Sequence, residues 1–337
     1  MLVSVIAPCR NEREHVLAFC DAVAAQVLPP GVALEVLIAD GRSSDGTRDK
    51  LLRRASEDAR FRLIDNPGRI VSTGLNRCLA EARGTVIVRM DLHTEYDEDY
   101  VAECLAALER SGADNVGGPW RAEGDGGTSD AIAAAFQSRW VAGGARSRDL
   151  DHEGRVDTVY LGCWPRATFE RYGTFDETLV RNQDDEHNLR IVRGGGSVWQ
   201  SARIVSRYRP RATLGQLFRQ QLQYGYWKPF VMRKHGQAAA WRQLVPGGFV
   251  AALVGLGAAG LVSAAARSGF VTLGNLYALY VLAASVAVAR EAGWSLLPRL
   301  PFVIGATHLG YGLGTLRGWY DVLVRGRPSP SFGALTR

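Results

Sequence analysis

Residues 88–100, VRMDLHTEYDEDY, decide how the chain reads. The apolar run 85–90, interrupted only by Arg89, has the length and β-branched content of a buried strand, and it stops abruptly at Asp91-Leu92-His93. A carboxylate and an imidazole two residues apart can share one divalent cation if the backbone turns there, with Mg2+ or Mn2+ the natural choices. The plain alternative is a strand-end Asp capping a turn. Three more short apolar runs precede this one, at 2–7, 34–39 and 61–64, and helical spacing occupies 14–27, 45–55, 70–83 and 100–111. Strands alternating with helices imply a parallel sheet with βαβ crossovers, an α/β, Rossmann-like fold class. Ligands of such sheets gather beyond the carboxyl ends of the strands. Three polar clusters fall there: Pro8 with Asn11 and Glu12, the loop from Asp40 through Asp45 to Thr47, and Asp91 with His93. No GxxxxGK[ST] and no GxGxxG follows a strand, so neither a P-loop nor a dinucleotide fingerprint is present.

Charge divides the chain. Residues 1–186 carry 22 Lys and Arg against 32 Asp and Glu, whereas 187–290 hold 13 basic residues and no acidic one. An acidic domain followed by a basic region points to an anionic neighbour, nucleic acid or a lipid surface. The hydrophobic pattern selects lipid: residues 243–266 and 268–289 are uncharged runs of 24 and 22, and 300–316 is a shorter one of 17. A bilayer core takes about 20 apolar residues in helix, so the first two are candidate spans meeting at Arg267-Ser268-Gly269, and the third is marginal. The basic residues from Arg203 to Arg242 place the side before the first span in the cytosol. Three full spans would then leave Arg317, Arg325 and Arg327 outside; two spans plus a re-entrant or in-plane segment would return them. The start, MLVSVIAPCRNE, lacks a basic n-region and gives no expectation of a signal peptide. Cys9, Cys20, Cys78, Cys104 and Cys163 are odd in number, scattered and without a CxxC pair, so reduced thiols are expected.

After about residue 115 the pattern loosens into Gly-rich and charged loops around a helix at 130–141. A strand at 159–164, helices at 167–172 and 184–193, and a strand at 197–208 follow. Two clusters stand out. Asp184, Asp185 and Glu186 open a helix; one or two acids suffice for its dipole, and three crowded together raise a pKa, which suits a general base. Gln220, Gln223, Tyr224, Trp227 and Lys228 lie just before the first span, where an interfacial aromatic belt accounts for Trp227 and Lys228 but less well for the glutamines.

Together these motifs resemble family 2 glycosyltransferases of the GT-A fold. The resemblance rests on Pro8-x-x-Asn11-Glu12, on Asp40 to Asp45-Gly46-Thr47, on Gly74-Leu75-Asn76 before a strand ending Asp-x-His, and on Gly173 to Glu177 ahead of Asp184, and it runs from about residue 2 to 230. With the His variant and the C-terminal apolar runs, it is nearest to membrane-attached enzymes of the succinoglycan type. It implies that Pro8, Asn11, Glu12, Asp40, Asp45, Asn76 and Asp91 hold a nucleotide-sugar donor. Asp91 and His93 hold Mn2+ or Mg2+, and Asp184 or Asp185 is the base of an inverting transfer, Gln183 standing where the family usually has Glu. Gly162, Trp164, Gln220, Gln223, Tyr224 and Trp227 are expected in the acceptor or diphosphate region. The Gln-x-x-Arg-Trp signature of processive enzymes survives only as Gln220-x-x-Gln223-Tyr224, which points to single-sugar addition.

The expected organisation is a catalytic domain over 1–200, with a nucleotide-sugar half (1–115) and an acceptor half (116–200). A basic interfacial segment (201–242), two or three membrane segments (243–320) and a tail (321–337) follow. The expected function is transfer of a hexose from a UDP-glucose-like donor to a lipid-linked acceptor, in bacterial exopolysaccharide or envelope glycan synthesis. The enzyme is expected in the inner membrane with its catalytic domain in the cytosol, in contact with membrane lipids and not with nucleic acid; the sequence leaves the oligomeric state open. The rivals are a polyprenyl-phosphate glycosyl transferase and an inactive nucleotide-sugar-binding subunit.

Overall fold

The computed structural model describes residues 1–238 and 240–333. The chain falls into two compact units, Met1–Arg121 with Arg146–Tyr208, and Ala122–Ala145 with Arg209–Arg337. In the first unit β1 (Leu2–Cys9), α1 (Val16–Ala24), β2 (Ala33–Asp40), α2 (Thr47–Glu57), β3 (Phe61–Asp65), α3 (Val71–Glu81) and β4 (Val86–Arg89) alternate as expected. Then come β5 (Thr94–Tyr96), α4 (Tyr100–Ser111), β6 (Asn115–Gly118) and β7 (Arg121–Ala122). The second unit takes α5 (Thr128–Gln137) and α6 (Arg139–Ala142), after which the chain re-enters the first through β8 (Gly154–Arg155), β9 (Tyr160–Pro165), α7 (Arg166–Tyr172), α8 (Gln183–Arg193), β10 (Val198–Gln200) and β11 (Ser206–Tyr208). The large sheet runs β3-β2-β1-β4-β9-β6-β10-β8. Strands β1 to β4 are mutually parallel, and β9 inserts antiparallel between β4 and β6.

Alternation along the strands makes two cores, because successive side chains face opposite sides of the sheet. Val3, Val5, Val36, Ile38 and Val88 pack beneath Val16, Phe19 and Val23 of α1 and Val101 and Cys104 of α4. Ile6, Leu37 and Ile87 face the other way, onto Leu75, Cys78 and Leu79 of α3 and Ile191 of α8. All five cysteines are free and buried.

Strand β6 was not foreseen. Its sequence, Asn-Val-Gly-Gly, has Val116 as its single strand former beside two glycines, but all four residues are buried and the glycines are required by close neighbours. A methyl at Gly117 would lie 2.8 Å from Val159, and one at Gly118 would overlap the Ile204 carbonyl. The expected strand over 197–208 is broken into β10 and β11 by a turn in which the Ile204 amide donates to the Ser201 carbonyl.

The second unit holds α9 (Leu214–His235), α10 (Val245–Ala259), α11 (Ala264–Ala292) and α12 (Leu300–Tyr320) as well as α5 and α6. Residues 122–145, expected in the acceptor half, thus group with the C-terminal helices: the Tyr280 hydroxyl donates to the Trp140 carbonyl, and Val141 packs on Val281, Ala284 and Ile304. Two stretches, Trp241–Ala259 and Ala264–Ala292, are long and apolar enough to cross a membrane. Their turn is at residues 260–263, not at Arg267-Ser268-Gly269, because Ser263 caps α11 by accepting from the Ala266 amide. Trp227 and Lys228 are buried, so the interfacial-belt reading of this pair does not hold.

Helix α12 lies along α9 on a glycine stripe. Gly310, Gly314 and Gly318 face the carbonyls of Phe218, Leu222 and Tyr226 in that order, which makes the two helices parallel. At their shared C-terminal end the Tyr226 hydroxyl donates to Asp321 Oδ2 (2.7 Å) and Arg233 to the Val322 carbonyl (3.1 Å). Arg317 and Arg325, both within 4 Å of Asp321, therefore return to the end of α9 that carries Arg233.

Candidate active site

The carboxyl ends of β1, β2 and β4 lie along one edge of the sheet, and their loops are laced together. Asn11, in the left-handed region (φ 54°), donates its amide to Ser43 Oγ (2.8 Å) and accepts from the Ser44 amide at Oδ1 (2.9 Å). The Glu12 amide donates to Thr47 Oγ1 and the Arg13 amide to Asp45 Oδ2. Asp45 caps the start of α2 through the Thr47 amide; burial works to raise its pKa, but the hydrogen bonds from Thr47 and Arg13 hold it below the usual carboxylate range. Asp40 is fully buried, accepts from the Ser43 amide and hydroxyl and pairs with Arg48 (3.1 Å). Arg48 also reaches Asp65 at 2.8 Å. Pro8 closes β1 against Ala39.

At the end of β4 the arrangement is tighter. Arg89 donates through Nε and Nη2 to both oxygens of Asp91, each at 2.9 Å. Tyr96 holds the Asp91 backbone from both sides, accepting from its amide (2.6 Å) and donating to its carbonyl (3.0 Å). Burial alone would raise the Asp91 carboxyl, but the Arg89 charge and hydrogen bonds, with His93 and Arg181 nearby, lower it. His93 directs Nδ1 at Glu12 Oε1 (3.3 Å), the carboxylate–imidazole arrangement that orients a ligand histidine and leaves Nε2 for a cation. Each Asp91 oxygen accepts one hydrogen bond from Arg89 and retains a second lone pair. The pair therefore fits a cation completed by substrate oxygens. Among the described residues, no group of three or more His, Cys, Asp or Glu stands ready to hold one alone.

Helix α8 brings the second carboxylate. Asn182, left-handed at φ 63°, turns the chain into it, and its inner face is pinned. Glu186 pairs with Arg190 (3.0 Å), which also donates to the carbonyls of Tyr172 and Thr174. Asn188 accepts from Asn115 of β6 (2.7 Å) and donates to Thr158 (2.9 Å). The three acids are thus not crowded. Glu186 is spent inside, and Asp184, about a third exposed, directs Oδ2 at Arg89 Nη1, 3.7 Å away. One guanidinium lies between Asp91 and Asp184.

His187, on the same inner face, holds its Nε2 3.0 Å from the Gly173 carbonyl and stacks on Phe169. Burial, aided by the Arg190 charge, pushes its pKa from 6.5 down to about 4. The unfolded chain then takes the proton first, so the neutral imidazole contributes stability that is full above about pH 6.5 and falls by up to about 3 kcal/mol toward pH 4. Thermal unfolding should show a smaller Tm loss between pH 7 and pH 5 in His187→Gln than in the wild type; an equal loss would sink the assignment.

Several expected residues do other work. Both ends of the Asn76 amide are committed to the 175–177 loop, donating to the Phe175 carbonyl and Glu177 and accepting from the Phe175 amide, so Asn76 anchors that loop rather than standing open to a donor. Trp164 is buried in the core against Phe169, Phe175 and His187, which removes it from an acceptor surface. Gly162 (φ 125°) makes room for its ring. Gln220, Gln223 and Trp227 are buried and Tyr224 half-buried in α9 of the other unit. Sequence reasoning passed over Arg89 and Tyr96. The available signal was a lone Arg in a buried strand with an acid two residues on, since a buried cation needs its partner on the same strand face.

Residues 4–164 match the family model for glycosyl transferase family 2. The chain is 31% identical over 253 residues to the succinoglycan biosynthesis protein ExoA of Rhizobium meliloti, covering 72% of this chain and 73% of that one. It is 24% identical over 268 residues to a dolichyl N-acetyl-alpha-D-glucosaminyl phosphate 3-beta-D-2,3-diacetamido-2,3-dideoxy-beta-D-glucuronosyltransferase of Methanococcus voltae, covering 77% and 82%. Among solved structures, the mannosyltransferase PcManGT of Pyrobaculum calidifontis, in complex with GDP-Man and Mn2+, shares the fold with a TM-score of 0.60 at 19% identity, over 95% of this chain and 87% of that one. The chain belongs to glycosyl transferase family 2.

Proposed function

We propose that the protein transfers one hexose from a nucleotide-diphosphate sugar, UDP-linked by preference, to a lipid-linked saccharide at a membrane surface, with inversion at the anomeric carbon. The observation that carries the reading is the pairing of a buried, ionised Asp91 at a strand end with a separate, partly exposed Asp184 at the start of α8, both within reach of Arg89. Asp91 and His93 would hold a divalent cation, which when bound offsets the charge of the departing diphosphate. The Asp40–Thr47 loop and the Asn11–Glu12 turn form the wall for the nucleoside. Asp184 accepts the proton of the acceptor hydroxyl as that oxygen bonds to the anomeric carbon and the bond to the diphosphate breaks. The succinoglycan biosynthesis protein supports a role in polysaccharide assembly, and the relative that transfers onto a dolichyl-linked sugar phosphate supports a lipid-linked acceptor. The apolar stretches 241–259 and 264–292, with Leu261 and Val262 exposed at their turn, support membrane attachment through two segments. A parallel α12 returning its arginines to the α9 side supports a third segment that does not cross.

The test is release of UDP or GDP from a panel of nucleotide sugars by the detergent-purified full chain, with and without a lipid-linked oligosaccharide extract, in Mn2+ and in EDTA. Turnover of one donor, stimulated by the extract and abolished by EDTA and by Asp91→Ala, is expected. Donor binding without release under every condition would replace this reading with that of an inactive binding subunit.

A further inference from the structure

Arg89 touches both carboxylates of the site, Asp91 and Asp184, and the chemistry of the transfer leaves it unexplained. Its side chain is only 7% exposed, in the middle of the sheet edge, and two of its nitrogens already satisfy Asp91. Neutralising Asp91 needs no more than that fork. The third nitrogen, Nη1, is buried, has no hydrogen-bond acceptor, and lies 3.7 Å from Asp184 Oδ2, too long for a hydrogen bond but within ion-pair range. A buried donor left without an acceptor costs roughly what a lost hydrogen bond costs, so an arrangement that keeps one aimed at a partly exposed carboxylate calls for a reason. Lysine would not serve, since a single ammonium cannot hold one carboxylate by two parallel bonds and face another.

We propose that Arg89 is the positioning residue of the transfer. Its guanidinium ties the donor-side carboxylate Asp91 to the base Asp184, fixing the distance between the cation site and the proton acceptor and keeping Asp184 on the donor side of α8. The proposal rests on the transferase reading. It also carries a consequence that a packing role does not. Arg89 places a positive charge against Asp91, which opposes any cation bound there. Its removal should leave metal-dependent nucleotide binding intact or tighter while it disables transfer. A variant that merely loosens the fold would weaken both.

The experiment compares wild type, Arg89→Gln, Arg89→Lys and Arg89→Ala as full chains in detergent. It measures kcat for the donor that wild type turns over, and binding of the matching nucleoside diphosphate in Mn2+ by calorimetry. Arg89→Gln is expected to lower kcat about 100-fold, the scale of a misplaced reacting group, with nucleotide affinity equal or higher. Guanidinium ion added to Arg89→Ala should restore part of the rate. A kcat within about threefold of wild type in Arg89→Gln would overturn the proposal and leave the transferase reading standing. If Arg89→Gln does not fold, Arg89→Lys decides. Loss of kcat with nucleotide binding kept supports the proposal, and wild-type kcat overturns it. Wild type that turns over no donor, while still binding nucleotide, would remove the transferase reading and this proposal together.

Discussion

Asp184→Asn is expected to reduce transfer about 1000-fold at saturating donor, within the range for loss of a general base, whereas Asp185→Asn should stay within about threefold, as for an ordinary surface change. Successive residues of a helix point about 100° apart, so two adjacent acids cannot serve one reacting hydroxyl equally. The inner face of α8 is fixed by Glu186 on Arg190, His187 at Gly173 and Asn188 at Asn115. That fixing leaves Asp184 as the acid that meets Arg89. Asparagine keeps the shape, including an oxygen for the Asp185 amide that Asp184 Oδ1 now accepts at 2.9 Å, so a rate loss reports lost basicity rather than a broken turn. Initial rates with the lipid extract, beside nucleotide binding as a control, make the measurement. If Asp184→Asn keeps more than a tenth of the wild-type rate, the acceptor needs no base. A lipid phosphate, already ionised, then becomes the better acceptor.

The parallel half of the sheet was legible because its strands are short, largely apolar runs, with only Ser4, Glu35, Arg62 and Arg89 interrupting them before their polar ends. The three clusters at the strand ends followed from that one inference, and the structure sets Asn11, Glu12, Asp40, Asp45, Asp91 and His93 side by side at that edge. What stayed hidden were features whose cause lies in a distant partner. β6 is a strand because Val159 and Ile204 close over two glycines, which no local propensity records. Asn76 resembled a donor contact by its place in a motif, yet its amide is consumed by a loop 99 residues away. Trp164 was expected in the acceptor or diphosphate region and is a core residue, since nothing in a strand's own sequence says which face an aromatic takes when both are covered. Arg89 was the most informative residue and the easiest to overlook. It broke an apolar run and was treated as an interruption, although a guanidinium at such a position demands an anion on its own strand face.

A methyl group at Gly314 should be among the costliest single carbons added to the C-terminal unit, and the same methyl at Gly305 of the same helix should cost nothing. At Gly314 the added carbon would overlap the Leu222 carbonyl oxygen and stand 2.9 Å from the Tyr226 amide nitrogen, both backbone atoms of α9 that no side-chain rotation can move aside. The helices must separate, opening the contacts that Gly310 and Gly318 make along the same stripe, where small residues replace a hydrophobic driving force with close backbone packing. Overpacking of this kind costs about 3 kcal/mol or more. At Gly305 nothing lies within 4 Å, so alanine gains helix propensity without a clash, stabilising by up to about 1 kcal/mol. Thermal unfolding in detergent of Gly314→Ala and Gly305→Ala should therefore move in opposite directions, the first by roughly 10 °C downward on the usual scaling of a domain this size. If Gly314→Ala unfolds with the wild type, α9 and α12 do not pack backbone to backbone. The return of Arg317 and Arg325 to the α9 side would then lose its support. Cysteine accessibility at Ser331 and at Ala238, from opposite sides of sealed vesicles, would show the same failure: one-sided labelling of both goes with the parallel pair, and labelling from opposite sides goes with a third full span.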